Sequence, residues 1–64
     1  MFDITYNGQP KSVDEHTTIA QLLADSGVNI KLCALELNEE VLPKSVFATQ
    51  TLSPGDQVEV VTFV

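Results

Sequence analysis

Ser53-Pro54-Gly55-Asp56-Gln57-Val58-Glu59-Val60-Val61-Thr62-Phe63-Val64 reads as a turn that releases into a strand. Apolar and polar residues alternate through Val58, Glu59 and Val60, after which Val60, Val61, Phe63 and Val64 make both faces apolar. A strand with apolar side chains on both faces has neighbours on every side, so its place is the middle of a sheet. Chain ends are ordinarily polar and frayed. A sequence whose last residues are Phe63-Val64 either docks them on its own core or presents them to something else.

Working outward, Phe2-Asp3-Ile4-Thr5-Tyr6 alternates with Phe2, Ile4 and Tyr6 on one face, and Asn7-Gly8 follows as a hairpin turn. Pro10 cannot donate to a central ladder, which predicts a short edge strand through Lys11-Ser12-Val13-Asp14 with Val13 turned inward. The stretch from Thr17 to Gly27 reads as a helix. Thr18 and Gln21 have capping-box spacing and Gly27 suits a left-handed stop. Ile19, Leu22 and Leu23 at i, i+3 and i+4 form one apolar stripe. Leu32-Cys33-Ala34-Leu35-Glu36-Leu37-Asn38 is a further strand, with Cys33, Leu35 and Leu37 toward the helix and Glu36 and Asn38 away from it. A tight turn at Asn38-Glu39-Glu40 leads into a short strand, Val41-Leu42, ended by Pro43. From Lys44 to Leu52 no period is clean, so the segment is irregular with room for one helical turn; Val46, Phe47 and Leu52 are its inward anchors.

A helix with one apolar stripe has to lie across one face of a sheet. The first and last strands, both rich in apolar residues, pair centrally and in parallel, with the crossover made through the helix. The expected fold class is α+β: a ubiquitin-like β-grasp, a mixed four- to five-stranded sheet with one helix across one face, as a single domain over residues 1–64.

Composition narrows the function. At 64 residues a chain buries only about 60% of its unfolded surface, so there is room for one small core. Nine acidic residues against three lysines give a net charge of −6. That charge repels phosphate backbones and anionic lipid, which disfavours nucleic-acid and membrane-surface roles and favours partners with basic docking surfaces. The single cysteine, Cys33, cannot form an internal disulfide, and nothing at the amino end resembles a cleavable signal; a reducing cytoplasmic setting is expected. No apolar run reaches membrane-spanning length.

Candidates for chemistry are few. His16 lies in a polar loop with no Ser, Cys or metal-spaced partner and reads as a solvated residue. Cys33 falls on the inward face of a strand and reads as a packing thiol. Glu39-Glu40 is a solvated turn, because adjacent side chains diverge. One Cys and one His give no metal spacing, and three isolated glycines give no phosphate loop. If Val58 and Val60 face the helix, Val61 and Phe63 share the helix-free face with Glu59, where an isolated chain exposes apolar surface. Coverage of Val61 and Phe63 by strand twist and the 44–52 segment is the competing expectation.

Taken together, the opening strand into Asn7-Gly8, Thr18-Ile19-x-x-Leu22-Leu23, Ala34-Leu35-Glu36-Leu37-Asn38, Val41-Leu42-Pro43-Lys44-Ser45 and Leu52-x-x-Gly55-Asp56-x-Val58-Glu59-Val60-Val61-x-Phe63-Val64 resemble the sulfur-carrier proteins of thiamine biosynthesis, the ThiS family, along nearly the whole chain. The resemblance implies a carrier that is not itself an enzyme and holds no cofactor. Its terminal glycine would be adenylated by an E1-like activating enzyme at the expense of ATP, then converted to a thiocarboxylate that a thiazole synthase consumes. For such a carrier the partner-binding surface expected from the alternation of the last strand is the helix-free face at Glu59, Val61 and Phe63, continued by Val64, together with Lys44, which stands where the family commonly has arginine. The family's diglycine follows the position of Val64, the last residue of this sequence. Two other readings compete with it: a carrier of the molybdopterin-synthase small-subunit type, whose chains are usually longer, and a β-grasp interaction module with no tail chemistry.

Overall fold

Two two-residue turns set the sheet's hairpins. In the computed structural model, which describes residues 1–63, Asn7 and Gly8 take φ of 49° and 81°, and Asn38 and Glu39 take 52° and 70°. Paired positive φ values are the signature of the tight turn whose twist matches that of the strands it joins. The first turn links β1 (Phe2–Tyr6) to β2 (Gln9–Val13), and the second links β3 (Cys33–Leu37) to β4 (Glu40–Val41). Between the hairpins runs the helix α1 (Ile19–Asp25), and after them comes β5 (Gln57–Thr62).

The strand order is β2-β1-β5-β3-β4, with β5 parallel to β1 and antiparallel to β3. This is the expected β-grasp, with five strands and the last in the centre. Several boundaries differ from the sequence reading. The edge strand begins at Gln9 rather than Lys11 and ends before Asp14. Pro10 sits opposite Thr5 within it, tolerated because β2 has a neighbour on one side only. β4 is Glu40–Val41 instead of Val41-Leu42, because the turn takes two residues and Leu37 then faces Glu40. β3 starts at Cys33, since a 3₁₀ turn over Ile30–Leu32, capped by the Asn29 side chain, occupies Leu32.

The helix is shorter than Thr17 to Gly27 because its ends are capped where the sequence signals stand. Thr18 is the N-cap, and its hydroxyl and the Gln21 side chain exchange hydrogen bonds with each other's backbone N–H groups. At the other end Gly27, φ 73°, lets its own N–H donate to the Ala24 carbonyl while Val28 donates to Leu23, a Schellman closure.

Ile19, Leu22 and Leu23 are almost fully buried against Ile4, Val13, Cys33, Leu35 and Val58 of the sheet, with Phe47 and Leu52 closing the flank. Each such apolar side chain contributes about 1.5–3 kcal/mol on burial. Between Lys44 and Leu52 the one helical turn is a 3₁₀ turn over Lys44–Val46. Phe47 and Leu52 anchor inward as expected, while Val46 is half-buried. Hydrogen bonds from Ile19 to Gln50 and from Ala20 to Phe47 fasten this segment to the start of the helix.

Candidate partner-docking face

With Val58 wholly buried beneath the helix, pleating sends alternate residues of β5 to the other face. There Glu59 and Val61 stand exposed, and Val61 keeps 60% of its surface accessible. Phe63, just past the end of β5, is 53% exposed. Neither strand twist nor the 44–52 segment covers Val61 or Phe63, because that segment packs along the opposite, helix-bearing side through Phe47 and Leu52. Val64 lies outside the described residues.

Register places others beside them. Ala34 pairs with Val61, Glu36 with Glu59 on one side and Val41 on the other, so these side chains share the helix-free face. Val41 is 70% exposed. Ala34, Glu36, Val41, Glu59 and Val61 surround a shallow depression of about 300 Å³. Glu36 and Glu59 face each other directly across the two strands, a like-charge pairing that costs stability until a cation is brought near. Sequence reasoning missed Ala34, Glu36 and Val41. Their signal is present in the alternation of β3, but only the pairing register brings them beside Val61.

Lys44 sits away from that depression. Its Nζ donates to the Lys31 carbonyl at 3.2 Å, and the Phe63 N–H donates to the next carbonyl, that of Leu32, at 2.7 Å. Lys44 and the base of the terminal segment are thus tied to consecutive peptide units of one turn. Lys44 brings one cation to this turn, whereas the sheet face carries Glu36 and Glu59.

The turn before β5 is held by a network absent from the sequence reading. Asn38 donates from Nδ2 to Asp56 at 3.0 Å and accepts from the Gln57 N–H at 2.9 Å, while the Ser53 N–H donates to the same Asp56 carboxylate at 2.8 Å. This network fixes where β5 begins. On the other flank the Asn7 side chain accepts from the Val60 N–H at 2.7 Å.

The remaining candidates form no catalytic constellation among the described residues. His16 is exposed, with φ 68°, beside a depression of about 440 Å³ rimmed by Asp14, Glu15 and Asp25. Cys33 is buried and its thiol donates to the Ile30 carbonyl at 3.4 Å. Glu39 and Glu40 are exposed and diverge, one in the turn and one in β4. Among the described residues no three His, Cys, Asp or Glu side chains could hold a metal together, and no helix is long and apolar enough to cross a membrane.

Three comparisons relate the whole chain to known proteins. The family model described as "ThiS family" matches residues 4–64. The chain superposes with a TM-score of 0.86 on the crystal structure of the thiamine biosynthesis protein ThiS from Geobacter metallireducens, at 35% identity, covering 98% of this chain and 96% of that one. The solution structure from the same organism gives 0.81 over 98% and 85% of the two chains. The chain is also 33% identical over 61 residues to a thiazole synthase of Paramagnetospirillum magneticum, matching 95% of its own length but 19% of that protein's.

Proposed function

Because the chain belongs to the ThiS family, we propose that it is a sulfur carrier of thiazole biosynthesis, a protein substrate whose terminal glycine carboxylate is adenylated and then converted to a thiocarboxylate. The observation that carries this reading is the agreement of fold and family over the same residues, with β5 central and Phe63 exposed just past its end. The reacting glycine follows Val64 in this reading. Two glycines suit such a tail, because without Cβ atoms they thread extended through a narrow channel and leave the terminal carbonyl open to attack. The chain supplies binding, orientation and a handle; ATP, the acyl-adenylate chemistry and the sulfur transfer belong to the enzymes that act on it.

The partners are an E1-like adenylating enzyme and a thiazole synthase. The second is supported by the thiazole synthase relative, which carries a segment similar to this chain within one polypeptide. We assign the docking surface to Glu59, Val61, Phe63 and Val64, joined by Ala34, Glu36 and Val41, with Lys44 holding the turn that anchors the tail's base. The cytoplasm, where ATP and reduced thiols are available, is the setting that this chemistry needs.

The codons after Val64 give the first test: Gly-Gly followed by a stop agrees with the carrier, and a stop directly after Val64 defeats it. The second is biochemical. The chain ending in Gly-Gly, incubated with ATP, a sulfur donor and the thiamine-pathway activating enzyme, is expected to exchange one terminal oxygen for sulfur by intact mass. Exchange only with a molybdopterin-pathway enzyme would move the carrier to that pathway. No exchange with either would leave an interaction module.

A further inference from the structure

The centre of the sheet has an opening. In an antiparallel pair alternate residues of a strand turn their main-chain groups toward the partner. Asn38 donates to the Gln57 carbonyl and Phe63 to the Leu32 carbonyl, so residues 57, 59, 61 and 63 address β3. Residues 58, 60 and 62 therefore address the β1 side. There Asn7 donates to the Val58 carbonyl at 2.8 Å, and the Asn7 side chain accepts from Val60. Beyond that point β1 has ended at Tyr6, and its chain has turned back through Gly8 into β2. The Val60 carbonyl and both the N–H and carbonyl of Thr62 have no protein partner among the described residues.

An unpaired edge with donor and acceptor in register is a template for a strand. We propose that the Val60–Thr62 edge of β5 is a strand-addition site, occupied by an extended segment of the adenylating enzyme that acts on this carrier. The inference rests on the carrier reading above and deepens it. The incoming segment fills the lane that β1 vacates and pairs with all three free main-chain groups. Pairing there holds the chain extended as it leaves the sheet, which aims the residues after Thr62 in one direction. Val61 and Phe63, exposed at 60% and 53%, flank the lane and supply its apolar contact. Charge selects the occupant: a second copy of a chain carrying −6 is repelled, whereas a segment bearing Lys or Arg is drawn to Glu59 and the facing Glu36.

The test uses the chain ending in Gly-Gly and the adenylating enzyme encoded in the same genome. In the complex, hydrogen exchange at the Thr62 amide is expected to slow at least about tenfold, the scale of one added hydrogen bond. Thr62→Pro removes the one N–H left unused along this edge among the described residues and places a ring in the lane, and is expected to weaken binding by about tenfold or more. Thr62→Val keeps the N–H and is expected to restore tight binding. Unchanged exchange at Thr62 in a complex that still transfers sulfur, or wild-type affinity in Thr62→Pro, overturns the strand addition alone. Protection of Thr62 in the isolated chain that disappears on dilution assigns the edge to a second copy and likewise overturns it. Failure of the unaltered chain to bind or to acquire sulfur defeats the carrier reading together with this inference. Should Thr62→Pro fail to fold, the exchange measurement on the unaltered chain decides.

Discussion

Two residues at equivalent places in the two hairpins carry unequal strain. Gly8 reaches φ 81° without a Cβ, whereas Glu39 at φ 70° holds a full side chain in the left-handed region. Glu39→Gly is expected to raise stability by about 0.5–1 kcal/mol in urea unfolding, because relief of that strain outweighs the entropy that glycine adds to the unfolded chain. Phe63 offers a contrasting case. Half of its surface is in water and its side chain lies outside the core, so Phe63→Asp is expected to change stability by less than about 0.5 kcal/mol while weakening binding to the adenylating enzyme; unfolding of the whole chain by that change would place Phe63 in the core. Phe63 and Val61 are visible as candidates in the sequence because β alternation assigns them to one face. Asn7 is visible there only as half of a turn. Its second role, closing the Val60 N–H from 53 residues away, has no local signature, since a side-chain amide is silent about which distant strand it meets.

At the level of elements, the helix shows why short segments need their ends. Seven residues are too few for a helix to persist in water by propensity, so caps and one buried stripe hold it. Removing the N-cap hydroxyl and its share of the capping box in Thr18→Ala is expected to cost about 1 kcal/mol, read as a lower urea midpoint with an unchanged slope. The helix, its caps and its buried stripe are all legible because each depends on residues within four positions of one another. The edge strand reads too short in the sequence, because Pro10 argues against a central ladder but is compatible with an outer one. Apolarity assigns Leu32 to a strand, yet the Asn29 side chain bonding to the Lys31 N–H winds that residue into a 3₁₀ turn.

For the molecule as a whole, charge and shape work at different ranges. The net −6 acts over about 8–10 Å at physiological salt, before any contact is made, so association with a basic partner is expected to slow as ionic strength rises while dissociation changes little; stopped-flow rates between low and moderate salt would show it. Contact then depends on the apolar, helix-free face and on the open edge beside it. The sequence by itself determined the kind of each major element, most of the core and the β-grasp order, because the periods of 2 and 3.6 residues and the capping signals are written in neighbouring positions. Only the tertiary structure decided that Val61 and Phe63 remain uncovered, that Ala34, Glu36 and Val41 stand beside them, and that β5 outruns β1. Those facts depend on register and relative length between strands far apart in the chain, and packing settles such relations where local pattern does not.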